Sequence, residues 1–97
     1  METVLIFLAL LGCEPEAPVV PSNDTFFLDG VVYIRPDMLT ARVLVHELYH
    51  DCQWLKADKQ NAKTLAQWRN REYEAMTVES IFNDKHDGLN IKVWYRY

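Results

Sequence analysis

Five consecutive residues near the middle of the chain, His46-Glu47-Leu48-Tyr49-His50, place two imidazoles and a carboxylate at a spacing that could do chemistry. Residues i and i+4 share one face of an α-helix, so both rings can reach a single ion. Two imidazoles plus a carboxylate suit zinc best among the divalent metals. Glu47 follows the first His directly, which carries its carboxylate alongside the ion. There it can take a proton from a metal-bound water without itself ligating. His46 and His50 are therefore candidate metal ligands and Glu47 a candidate general base. Catalytic zinc commonly takes three protein ligands and keeps one position open for water, so a third donor must come from elsewhere in the chain.

The site requires the pentapeptide to be helical, and the surrounding pattern agrees. From Thr40 to about Lys56 the apolar residues Ala41, Leu44, Val45, Leu48, Cys52 and Leu55 recur at spacings of three and four. That is one buried face of an amphipathic helix. Val43, His46, Glu47, His50 and Gln53 fall on another face. Upstream, Thr25-Phe26-Phe27-Leu28 and Val31-Val32-Tyr33-Ile34 flank Asp29-Gly30, the pattern of two short strands around a tight turn. Pro36 ends the hairpin, and Asp37 or Thr40 can cap the helix. Lys56 to Lys63 is polar and reads as a connection. A second helix is expected from about Thr64 to Asn83, burying Leu65, Trp68, Tyr73, Met76, Val78, Ile81 and Phe82 and closing at Gly88. Leu89 to Tyr97 alternates like a half-buried strand.

Candidates for the third ligand sit on the second helix, within Arg71-Glu72-Tyr73-Glu74-Ala75-Met76-Thr77-Val78-Glu79. The metzincin continuation of the motif needs Gly at position 53 and His at 56, where this chain has Gln53 and Lys56. The pattern instead resembles the gluzincins, in which the third ligand is a Glu on a separate downstream helix, commonly followed by Ala. That resemblance falls on Glu74-Ala75 and implies Glu74 as the third ligand, ahead of Glu72, Glu79 and His86. In thermolysin-like members an acidic residue four positions past the ligand accepts from the free ring nitrogen of a ligand His, and this chain has Val78 there. Glu72 or Glu79 is then available to accept from the free ring nitrogen of a ligand His. The resemblance runs from the hairpin to the glutamate helix. It implies a minimal zincin-like peptidase core in which Val31 to Ile34 edges the cleft and pairs with an extended substrate. It also implies a His or Tyr donor for the tetrahedral oxyanion, with Tyr73, His86, Tyr95 and Tyr97 as candidates and Tyr49 as a wall residue.

The 97 residues carry 49% hydrophobic residues and a net charge of -4, which describes one small globular domain without the basic stripe that nucleic acid requires. So short a chain buries little surface, and a metal is a plausible staple. The expected class is α+β: a small β-hairpin or three-stranded antiparallel sheet packed on the motif helix and the glutamate-bearing helix. Leu10-Leu11-Gly12-Cys13, at the end of the apolar run Val4 to Leu11, resembles the lipobox of bacterial lipoproteins. That resemblance implies a signal peptide over 1–12 and a membrane tether through Cys13. A Pro-rich tether over 13–24 and a single domain over 25–97 would follow. Burial of 1–12 as a strand or helix is the alternative. Cys52 reads as a small buried apolar residue. The expected function is zinc-dependent hydrolysis of a peptide or protein substrate in the cell envelope, with a cytoplasmic location as the alternative. Two other classes stand beside it. One is a non-catalytic zinc-stabilised module closed by His86 or Cys52, and the other is a helical envelope interaction protein without metal.

Overall fold

The structure, a computed structural model, describes residues 2–86; the expected cap at Gly88 and strand from Leu89 to Tyr97 lie outside the described residues. The hairpin forms as its Asp-Gly turn dictates. β2 (Phe26–Leu28) and β3 (Val31–Ile34) run antiparallel, with Leu28 opposite Val31 and Asp29 and Gly30 as the two turn residues. Both turn residues have positive φ, 47° and 80°, as a tight hairpin with right-handed strand twist requires. Gly30 has a second reason to lack a side chain: a Cβ there would come within 2.9 Å of the Trp54 ring.

The sheet gains a strand from the Pro-rich segment. β1 (Val19–Pro21) pairs parallel with β3, Val19 opposite Val32, giving the order β1-β3-β2. The sheet is therefore mixed, where an antiparallel one was expected. Pro21 is accommodated because β1 is an edge strand, where a missing N–H breaks no ladder. The same segment is fastened further back. The buried Asp51 carboxylate accepts the backbone N–H of Glu16 at 2.7 Å and of Ala17 at 2.9 Å. Residues 13–24, expected as an extended tether, thus pack on the domain.

Residues at the N-terminus also pack. α1 (Glu2–Leu10) buries Val4, Phe7 and Leu8, and Phe7 meets Phe82 edge to face with ring centroids 5.1 Å apart. The apolar run that resembles an export signal packs on the domain as a helix through Val4, Phe7 and Leu8, while Ile6 and Leu10 stay exposed. Cys13 and Cys52 form a disulfide, Cα to Cα 5.6 Å, so in this state the Cys13 sulfur has no free valence for a lipid thioether. No helix among the described residues is long and apolar enough to cross a membrane.

α2 (Ala41–Lys56) begins where expected, with the Thr40 hydroxyl accepting from Val43 N at 3.3 Å. Leu44, Val45 and Leu48 are fully buried against the sheet and α1. α3 (Leu65–His86) starts with a reciprocal cap: Thr64 Oγ1 accepts from Gln67 N at 3.1 Å while Gln67 Oε1 accepts from Lys63 N at 2.7 Å. Its buried apolar residues are Ala75, Val78 and Phe82; Leu65, Trp68, Tyr73, Met76 and Ile81 are exposed. The expected apolar face fails because the stripe that meets α2 is shared with acids. Glu72 and Glu79 lie on it, in line with Ala75, Val78 and Phe82 at helical spacing. A face built to serve a polar site does not show in a hydrophobic period.

Candidate metal centre

α2 presents His46 and His50 one turn apart, and their Nε2 atoms lie 3.2 Å from each other. α3 crosses opposite them and supplies Glu72. Its two carboxylate oxygens lie 2.6 Å from His50 Nε2 and 3.3 Å from His46 Nε2. One donor atom from each of the three residues falls within 4.8 Å of the others. Glu72 is thus the acid that faces both imidazoles, and Glu74 is elsewhere. Residues two apart on a helix point about 200° apart, so the two cannot share a site. Glu74 instead accepts the Tyr49 hydroxyl at 2.6 Å, and burial with this bond pushes the Tyr49 pKa up to about 12. Ala75 is fully buried, on the same face of α3 as Glu72 and Glu79.

The outer ring nitrogens are held as well. His46 Nδ1 lies 2.9 Å from Glu79 Oε1, and Arg42 pairs with the other oxygen of Glu79. His50 Nδ1 lies 2.7 Å from Gln53 Oε1, while Gln53 Nε2 donates to the Arg71 carbonyl at 2.8 Å. That second bond fixes which end of the Gln53 amide is oxygen. Both Nδ1 atoms therefore face acceptors and carry the proton in the neutral rings. Both Nε2 lone pairs then point into the site, at each other and at the Glu72 carboxylate. Three acceptors converge where no donor is aimed. A protonated imidazole would relieve this, but burial lowers the pKa of His50, against smaller upward pulls from Gln53 and Glu72. The donor set fits a divalent cation held by two imidazoles and a carboxylate.

Glu47 lines the same cleft. Burial raises its pKa from 4.5 to about 7, with the nearby Glu72 and Glu79 adding to the rise and His46 opposing it. A carboxyl poised near neutrality suits proton transfer in both directions. The cleft holds about 530 Å³ and runs between β2 and the first turns of α3, with His46, Glu47, His50 and Glu72 in its walls. Its strand is β2, whereas Val31 to Ile34 was expected. β3 is the central strand, paired on both sides, and β2 keeps an open edge among the described residues.

Other expected donors lie away from the cleft. Tyr73 is 71% exposed, and His86 packs against Phe7 and Phe82. Tyr95 and Tyr97 are outside the described residues. Gln53 was visible as a member of the His face at i+3 from His50, and Glu79 at two turns from Glu72; Arg71 carried no such signal. No protein-family model, curated protein or solved structure matches this chain.

Proposed function

We propose that the protein is a zinc-dependent hydrolase of peptide bonds, with the ion held by His46, His50 and Glu72 and with Glu47 as general base. The observation that carries this reading is the convergence of three acceptor atoms from two helices, with both outer imidazole nitrogens already satisfied. Bound zinc would lower the pKa of a water and polarise the substrate carbonyl. Glu47 accepts the proton from that water and returns it to the departing amine, a round trip suited to its raised pKa. Glu79 and Gln53 hold the ligand rings in orientation, and the open edge of β2 can pair with an extended peptide lying in the cleft.

Two placements favour catalysis over a closed structural site. The two residues named as a fourth protein ligand of a structural site are occupied elsewhere, Cys52 in the disulfide and His86 on the aromatic pair. His46, His50 and Glu72 line the cleft together with Glu47, so a cation held by the three would border open space beside that carboxyl. The disulfide is in keeping with an oxidising, extracytoplasmic setting.

Purified protein loaded with one equivalent of zinc should cleave members of a diverse peptide library. Glu47→Gln should retain the zinc and lose at least about 100-fold in rate, the usual worth of a general base. Zinc-loaded protein that cleaves nothing, or a Glu47→Gln variant as active as the parent, would defeat the proposal.

A further inference from the structure

We propose that Arg71 forms a subsite for a carboxylate of the substrate, set beside the metal centre on the wall of the cleft. The inference rests on the peptidase reading above. Arg71 lines the cleft together with His46, Glu47, His50 and Glu72. Among the described residues its guanidinium has no hydrogen-bond or ion-pair partner, whereas Arg35 pairs with Asp37 and Arg42 with Glu79. An arginine that is half-buried as a residue, lines a concave wall and has no partner for its guanidinium offers five donors, and a carboxylate matches its fork in a bidentate way.

Its position is fixed relative to the reacting centre. The Arg71 carbonyl accepts from Gln53, whose other amide atom faces His50, so one side chain ties the Arg71 backbone to a ligand ring. Charge points the same way. With a divalent ion in place, Glu47 and Glu72 together balance it, and Arg71 is left as the net charge of the cleft. Around it the cleft is apolar on two sides, with Trp68 on α3 and Phe26, Phe27 and Leu28 on β2. The subsite therefore takes a carboxylate carried next to an apolar group.

That carboxylate has two sources, the C-terminus of a peptide or an acidic side chain. At the hairpin end, the connection between α2 and α3 borders the cleft through Asn61 and Ala62, and Asn61 Nδ2 donates to Asp29 Oδ1 at 2.9 Å.

The test uses zinc-loaded full-length protein and an acetylated peptide of three alanines and a terminal leucine, as free acid and as amide. A second amidated pair carries internal glutamate or glutamine. Binding is measured by calorimetry in the Glu47→Gln background, and KM and kcat are measured in the active protein. Arg71→Ala should weaken binding of the carboxylate-bearing peptides about 10- to 100-fold, the scale of a charge-assisted pair, and leave the neutral matches unchanged. Arg71→Lys should recover part of the loss, and the effect should fall on KM and not on kcat. Sensitivity to terminal amidation assigns the chain end; sensitivity to the glutamate exchange assigns the side chain. Equal effects on charged and neutral peptides, no effect on either, or a loss confined to kcat would overturn the subsite. Because the side chain of Arg71 makes no hydrogen bond or ion pair among the described residues, melting temperature and zinc content should stay close to parent values. If no peptide is cleaved, the peptidase reading fails while the binding arm still decides the subsite.

Discussion

Glu72 and Glu74 separate two jobs within three residues of helix. Glu72 faces both imidazoles and Glu74 faces the Tyr49 hydroxyl. Glu72→Ala should lower zinc affinity by at least about 100-fold, whereas Glu74→Ala should leave it within about twofold. Calorimetric zinc titration checks both. Glu74→Ala should also let the Tyr49 pKa fall from about 12 toward 10, read by ultraviolet titration. Equal zinc affinities in the two variants would count against Glu72 as the ligand. Glu47 gives a second handle. Its pKa is about 7 in the folded chain against 4.5 when unfolded, so the fold holds an extra proton between those values. As pH rises through that window, zinc-free protein should lose roughly 3 kcal/mol of stability. His50 works in the other sense: its lowered pKa favours the neutral ring, and that stability is lost as pH falls below 6.5. Glu47→Gln should remove the first trend and keep the second. Urea unfolding of chelator-treated protein at about pH 5 and pH 8 separates them, and parallel curves for parent and variant would refute the assignment.

At the scale of elements, the hairpin and α2 were legible because each carries its own local signature. Asp29-Gly30 permits one kind of turn, and Thr40 followed by a three-and-four spacing permits one kind of helix. α3 was legible as a helix but not in its orientation. The acids that face α2 interrupt the apolar stripe, while Trp68, Tyr73 and Met76, apolar enough to suggest a core, are on the outside. The preference for Glu74 rests on the Glu-Ala pair of the gluzincin resemblance, and the apolar period of α3 carries no orientation that would have corrected it. Had Ala75 been taken as the close-contact position, Glu72 and Glu79 would have followed as its neighbours at i−3 and i+4. The hairpin also offers a test of packing. Gly30→Ala combines a φ of 80° with a Cβ placed 2.9 Å from the Trp54 ring, whereas Gly12→Ala combines a φ of 77° with open space. Gly12→Ala should cost about 1 kcal/mol and Gly30→Ala about 2 to 4, measured by thermal unfolding. Equal losses would mean that Trp54 moves aside freely.

The whole molecule is held together by parts the sequence did not tie to one another. An apolar N-terminal run, a Pro-rich stretch and two cysteines each admit several readings when taken alone. What joins them is long-range: Asp51 to Glu16 and Ala17, Cys52 to Cys13, and Phe7 to Phe82. No local period encodes such pairs. The disulfide closes a separation of 39 residues, for which loss of unfolded-chain entropy corresponds to about 4 kcal/mol. The double variant Cys13→Ser, Cys52→Ser should lose up to that amount in urea titrations. A variant as stable as the parent would show that the N-terminal segment is held by packing alone. Bound zinc should offset part of the loss, since an ion that binds only the folded chain stabilises it.

The lone pairs of His46 and His50, turned toward one another and toward Glu72, have a consequence for the energy landscape. Nearly everywhere else in this small fold, neighbouring groups favour the arrangement they are in. At this seam the metal-free chain is locally frustrated, with like partial charges brought together by Glu79 and Gln53 from behind and by Leu44, Val78 and Phe82 beneath. The repulsion between the two rings acts within α2, and that between each ring and Glu72 acts across the line that separates α2 from α3. A cation reverses its sign and adds a latch between the two longest helices of the described residues.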